Sequence, residues 1–246
     1  MNQRQTQIVE LISKNKKMSV VELSEKMAVS QVTIRKDLGE LEKNGLVVRE
    51  HGYATIHDSD DINQRLVIQY ETKQKIAQKA ADLIQDGETI MIESGSCCAL
   101  FAQVLAQTKK DITIITNSAF IAGYVRKIAN IRIILLGGSF QNESQVMVGP
   151  MVKSCVEMYH VDKLFIGTDG FSKESGFTGN DMMRAEAVQN MAKQASKVFI
   201  LTDSKKFSQT GLIRLLPSHS IYGVVTDTNI PEDMKLFLEQ EGVQVY

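Results

Sequence analysis

From residue 73 onward, short and almost purely apolar runs alternate with amphipathic stretches, and this alternation constrains the fold more than any other feature of the chain. The runs are ETIMIE (88–93), DITIIT (111–116), IRIILLG (131–137), KLFIGT (163–168), KVFILT (197–202) and YGVVTD (222–227). Helical patterns such as KQKIAQKAADLIQ (73–85) and FIAGYVRKI (120–128) lie between them, with further helical runs expected between the later strands. Strands apolar on both faces are buried on both faces, so the pattern predicts an α/β domain with a mostly parallel sheet covered by helices. With three prolines and no repeating unit, a solenoid is not expected.

The first 57 residues follow a different pattern. Ile8, Leu11 and Ile12 recur at helical spacing, and Ser19-Val20-Val21-Glu22 has the spacing of a capping box before a short second helix. Ser30 is a second candidate cap, and SQVTIRKDLGELEKN runs from it as a third helix, with Gly45 as the expected C′ residue. Ile34, Leu38 and Leu41 occupy one face of that helix, which leaves Gln31, Thr33, Arg35 and Lys36 exposed near its start. LVVRE and GYATI flank His51-Gly52 and predict a small β-wing carrying Arg49, His51 and Tyr53. This is the layout of a helix-turn-helix, whose second helix enters the major groove N-terminus first. Amide, hydroxyl and guanidinium groups there can address base edges, while Lys36 suits a phosphate.

Charge supports the division mildly. Residues 1–56 carry nine Lys/Arg against seven Asp/Glu, and the rest carries 19 against 22, so the net charge of −1 averages two unlike surfaces. A charged helix face taken alone is no more than a solvated face. Here two caps, a three-helix frame and a wing accompany it, and double-stranded DNA becomes the expected partner. Residues 58–72, with a short acidic run and no clear period, read as a linker to a second domain at 73–246. Three cysteines and four histidines make a disulfide scaffold or zinc site a poor expectation, and no metal or cofactor is expected. No apolar run suggests a membrane helix or a signal peptide, so the expected location is the cytoplasm, away from membranes.

In a parallel sheet, ligands collect in the crevice at the carboxyl ends of the strands. Glu93-Ser94-Gly95-Ser96, Thr116-Asn117-Ser118, Gly137-Gly138-Ser139, Gly167-Thr168-Asp169-Gly170 and Asp203-Ser204-Lys205-Lys206 all stand at such ends. Each by itself is ordinary turn chemistry. Together they could cradle an anion with backbone N–H groups and small side chains.

VSQVTIRKDLGELEKNGLVVREHGYA closely resembles the winged helix-turn-helix signature of the DeoR family of bacterial sugar-operon regulators, most tellingly at Thr33 through Leu38, Leu41, Gly45 and Arg49…His51-Gly52. The resemblance continues through the later loops and covers nearly the whole chain. It implies a regulator, most often a repressor, whose C-terminal domain is related in fold to ribose-phosphate isomerases and CoA transferases and senses a phosphorylated sugar or polyol. It implies a homo-oligomer, dimer or tetramer, reading two half-sites. Thr33, Arg35 and Arg49 are the carried-over DNA contacts. Ser94, Gly95, Ser96, Thr116, Asn117, Gly137, Gly138, Asp169 and Lys206 are the positions matching the effector loops, with phosphate expected against Ser96 and Lys206 and sugar hydroxyls against Asp169.

The sequence departs from the family pattern at several points. Tyr53 replaces a second wing glycine, Cys97 and Cys98 replace threonines, and Gln189 replaces a lysine whose charge Arg184 is expected to supply. The run from Thr178 to Arg184 resembles members that control hexitol operons. Cys97-Cys98 as a nucleophile and an isomerase-type enzyme are the alternatives. The first lacks a nearby histidine in sequence, and Ile166 stands where the first of two proton-transfer acids would be required.

Overall fold

The periodicity around Ile8 produces α1 (Gln3–Asn15), followed by β1 (Lys17–Ser19), α2 (Val20–Met27), α3 (Gln31–Lys43), β2 (Val48–Glu50), β3 (Tyr53–Thr55) and α4 (Ile62–Val67). The computed structural model describes residues 3–43, 46–55, 60–128 and 131–246, and the chain divides into two units, Met1–Tyr70 and Glu71–Tyr246. In the first unit Ile8, Ile12, Leu23, Ile34, Leu38 and Leu41 form the core. The capping box is present: the Ser19 hydroxyl accepts from the Glu22 N–H at 3.2 Å, and the Glu22 carboxylate accepts from the Ser19 N–H at 2.7 Å. Ala28, at φ 53°, ends α2 in the left-handed region, and the Thr33 N–H donates to the Ser30 hydroxyl to start α3. The expected C′ residue Gly45 lies outside the described residues.

The wing is a three-stranded sheet in the order β1-β3-β2. Glu50 pairs with Tyr53, leaving a two-residue turn at His51-Gly52 with both φ values positive, 47° and 85°. That is the geometry of a type I′ hairpin, whose twist suits the flanking strands. β1 was not foreseen, because three residues carry no period and its strand state comes from pairing with β3. The expected linker also differs. Residues 58 and 59 are outside the described set, but α4 is capped by Asp61, buries Ile62 and Val67, and packs on the first core through Val67. A six-residue segment whose apolar members are Ile62, Leu66 and Val67 is too short to show a period before their burial is known.

The second unit comprises α5 (Tyr70–Ala81), β4 (Thr89–Ile92), α6 (Ser96–Thr108), β5 (Ile112–Thr116), α7 (Ala119–Val125), β6 (Ile131–Leu135), β7 (Ser139–Gln141), β8 (Val146–Val148), α8 (Pro150–Val156) and β9 (Val161–Ile166). It continues with β10 (Gly170–Ser172), β11 (Gly176–Gly179), α9 (Met182–Ala192), β12 (Ala195–Leu201), β13 (Ile213–Leu216), β14 (Gly223–Val225), α10 (Glu232–Gln240) and β15 (Gln244–Val245). Seven strands form a parallel sheet in the order β15-β14-β12-β9-β4-β5-β6. The chain winds outward from β4 through β5 to β6, then returns to the other side of β4 as β9 and winds outward again. The reversal falls between β4 and β9, which is where such sheets open a crevice.

Only part of the region after β6 matches the expected strand–helix alternation. β7 and β8 form a hairpin, and β10, β11 and β13 form a small antiparallel sheet where helical runs were expected. Between β12 and β14 the described residues hold two 3-10 turns and β13, and no α-helix. GFS and GFTG are too short and glycine-rich to read as strands, and only their mutual pairing makes them so.

Replacing Ser19 by Ala removes one half of the α2 cap and is expected to lower stability by about 1 kcal/mol in denaturant titrations at neutral pH. The N–H and hydroxyl of Ser19 hold the Glu22 carboxyl below its ordinary pKa. The carboxylate's contribution is therefore present above its unfolded pKa and lost as pH falls through the lowered folded value. The gap between wild type and variant should narrow over that acid range.

Candidate functional site

In the first unit, α3 presents its start to solvent. Gln31, Arg35 and Lys36 are exposed and Thr33 is half-buried, while Ile34, Asp37 and Leu38 face inward. Buried Asp37 fixes the roll of this helix, its carboxylate accepting from Arg4 of α1 at 2.6 and 3.2 Å. Arg35 reaches back to the Gln31 amide at 3.2 Å, and the Thr33 and Ser30 hydroxyls lie 2.9 Å apart. On the wing, His51 and Tyr53 are exposed, and the Lys17 ammonium sits 4.5 Å from the centre of the Tyr53 ring. Arg49 is drawn back toward α3, 3.6 Å from the Glu42 carboxylate. Val32 is a further candidate on this face that the sequence reading left out. It is 73% exposed among the polar residues of α3, where an apolar side chain suits a thymine methyl. Its signal in the sequence is an apolar residue off the buried Ile34-Leu38-Leu41 stripe.

In the second unit the loops after β12, β9 and β4 stand side by side at the carboxyl rim, followed by those after β5 and β6. The β4 and β9 loops touch through two glycines. A Cβ built on Gly95 would stand 3.2 Å from the Gly167 Cα, so a larger residue would push the loops apart. Between them lies Glu93, 8% exposed, whose Oε2 accepts from the N–H groups of Gly95 at 2.9 Å and Gly167 at 3.2 Å. Its Oε1 accepts from the Ser94 hydroxyl at 2.5 Å. Ser94 is thereby turned into the domain and engaged. Ser96 opens α6, whose cap residue Gly95 provides no side-chain acceptor.

Thr116 and Asn117 are fully buried beside the β7–β8 hairpin. Thr116 accepts from the Ser118 N–H, and the Asn117 amide donates to the Met147 carbonyl while its Oδ1 has no protein partner. Gly138 lies under β8, where a Cβ would come within 2.6 Å of the Val148 carbonyl oxygen, whereas a Cβ on Gly137 would meet Met151 only at ordinary van der Waals distance. Asp169 accepts from the Asn180 N–H at 3.0 Å. Arg184 lies 3.8 Å from Asp181 within its own helix.

Cys97 lies buried in the first turn of α6. Burial pushes its thiol up to about 12, with Lys73, Asp203, Lys206 and Asp227 close enough to act on it electrostatically. The thiol is therefore a buried, unreactive group at neutral pH. Burial works to raise the Asp227 carboxyl, but the Ser204 and Asn229 N–H groups more than offset it and hold the carboxyl below its ordinary value. Lys206 is partly exposed, 3.5 Å from Gln209. The rim thus combines two lysines, carboxylates engaged by loop N–H groups, and small buried hydroxyl and amide side chains. Among the described residues no group of three His, Cys, Asp or Glu is placed to hold a metal ion.

These two sites define a chain that joins a DNA-reading module to a ligand-binding α/β module. Residues 4–60 match the DeoR-like helix-turn-helix domain and residues 68–228 match the DeoR C-terminal sensor domain. The chain belongs to the DeoR family of transcriptional regulators. It is 28% identical over 250 residues to the putative aga operon transcriptional repressor of Escherichia coli O157:H7, covering 99% of this chain and 93% of that one. It is 26% identical over 247 residues to the glycerol-3-phosphate regulon repressor of Escherichia coli K12, covering 99% and 97%. Among solved structures, ribose 5-phosphate isomerase A from Methanocaldococcus jannaschii is similar with a TM-score of 0.42 at 19% identity, covering 56% of this chain and 55% of that one.

Glu93→Ala would leave the Gly95 and Gly167 N–H groups without their acceptor. Loss of a charged acceptor to buried donors is expected to cost about 2 kcal/mol, with Glu93→Gln costing less, as read by chemical denaturation of the full chain.

Proposed function

We propose that the chain is a repressor of a sugar or polyol utilisation operon, acting in the cytoplasm as a dimer or tetramer and controlled by a phosphorylated sugar or polyol. The observation that carries this reading is the exposed N-terminal face of α3 beside the wing: an amide, a hydroxyl, a guanidinium and an ammonium within six positions. Gln31, Thr33 and Arg35 are assigned to base edges, and Lys36, Arg49, His51 and Tyr53 to the backbone and the flanking groove. Arg49 would exchange Glu42 for a phosphate on binding. A single recognition helix reads one half-site, so a second copy is required for affinity. The names of the aga-operon and glycerol-3-phosphate relatives, both repressors, support the operon class.

The effector is assigned to the crevice between the β4, β9 and β12 loops, with Ser96 and Lys206 toward its phosphate. Asp169, Asn117 and Thr116 lie on the side toward its hydroxyls, and Ser94, Gly95, Gly137 and Gly138 shape the floor. Arg184 supplies a further positive charge at the rim. Control is linkage: the effector binds one arrangement of the protein better and operator DNA the other, and a coupling of about 1–3 kcal/mol changes operator affinity roughly 5- to 150-fold.

Arg35→Ala is expected to lose about 1–3 kcal/mol per half-site in a gel-shift titration while folding normally, and wild-type affinity would remove Arg35 from the interface. Lys36→Ala should weaken binding to all sequences and lower the slope of log K against log salt by about one. Lys206→Ala should leave operator binding intact and blunt its response to effector. A thermal-shift screen of hexitol, hexose and pentose phosphates identifies that effector, because a ligand at 100 times its Kd stabilises by about 2.7 kcal/mol.

A further inference from the structure

Val32 stands in the first turn of α3, outside the stripe of Ile34, Leu38 and Leu41 that the helix turns into the core. It is 73% exposed, against 1% or less for those three. A lone exposed valine is ordinary on most surfaces. Here the exposure is enforced. The Arg4–Asp37 pair fixes the roll of α3, so Val32 is held outward with Arg35 and Lys36. These lie three and four positions further on, and therefore on the same side of the helix. Helix stability does not account for the residue, since valine ranks below glutamine, lysine or glutamate at an exposed helical position.

The neighbouring side chains already have partners. The Gln31 amide oxygen accepts from Arg35, and the Thr33 hydroxyl is paired with that of Ser30. To read a base edge, each must exchange a protein partner for it, a trade of hydrogen bonds with a small net gain. Val32 gives up only water. Its branched side chain has one strongly preferred χ1 rotamer in a helix, so both methyl groups are in place before any contact is made. In the major groove, thymine presents a methyl group at C5 where cytosine presents none. We infer that Val32 is a specificity-determining residue, which selects a thymine in each half-site through its 5-methyl group. This rests on the operator-binding reading above, and adds which base the apolar position reads and through which atoms.

Duplexes that the full-length wild type selects from a random-sequence pool supply the probe. Each thymine is replaced in turn, in both half-sites, by deoxyuridine, which removes the methyl and keeps every hydrogen-bonding group. At one thymine position the replacement should weaken wild-type binding in a gel shift about 3- to 5-fold per half-site. Val32→Ile, which keeps a branched apolar side chain, should show a similar loss, and Val32→Ser should bind both duplexes equally. A Val32→Ser protein that loses as much as wild type at every thymine overturns the inference and leaves operator binding standing, and so does a wild type indifferent to all the replacements. Weaker binding of Val32→Ser to every duplex, with the wild-type preference for thymine over deoxyuridine retained, places Val32 in a contact between copies and is equally fatal. A wild type that selects no sequence overturns both. Val32→Gln is the second polar variant where Val32→Ser does not fold, and the same outcomes decide it.

Discussion

The Glu93 carboxylate is the interaction on which the sensor unit depends. The sheet reverses direction between β4 and β9, and a reversal leaves two adjacent loops with no covalent or strand-ladder connection at their tips. Glycines at 95 and 167 let the loops approach to van der Waals contact, and a single buried carboxylate then satisfies an N–H from each. Close approach alone would bury donors without acceptors, and the acceptor alone could not reach both loops if either carried a side chain. With that junction fixed, the start of α6 and the turn leading to Asp169 are held against one another.

The first unit uses the same device on a smaller scale. Asp37 points into the three-helix frame, and Arg4 compensates it from α1 with the guanidinium partly in solvent. A buried carboxylate without its cation would be strongly unfavourable, so this pair admits one rotation of α3 and rejects those that would turn Asp37 outward. The rotation it selects is the one that exposes Gln31, Val32, Arg35 and Lys36 together. In both units a buried charge sets the geometry of the residues around it.

Features of the chain were legible in proportion to how local their causes are. The caps at Ser19 and Ser30, the type I′ turn at His51-Gly52 and the six apolar strands all follow from short-range patterns, and their positions could be read from residues alone. β1, β7, β8, β10, β11 and β13 are three or four residues long and are strands only through their partners, near in the β7–β8 and β10–β11 hairpins and distant for β1 and β13, so no period within them gave a sign. α4 falls in the same class. The crevice loops were legible as positions, but their hydrogen-bonding roles were not. Glu93 stood in view as part of a loop, yet its task depends on an N–H 74 residues away.

The way the carboxylates are employed separates binding from turnover. A general base needs a lone pair directed at the substrate and a pKa near the working pH. Asp227 is held below its ordinary value by two N–H donors, Asp169 accepts from Asn180, and Glu93 bridges two loops. The remaining nucleophile candidate, Cys97, is a thiol at neutral pH. Groups committed in this way are poorly suited to moving protons. A crevice that holds its ligand without transforming it reports the ligand's concentration through occupancy, which is what a transcriptional regulator requires of its sensor.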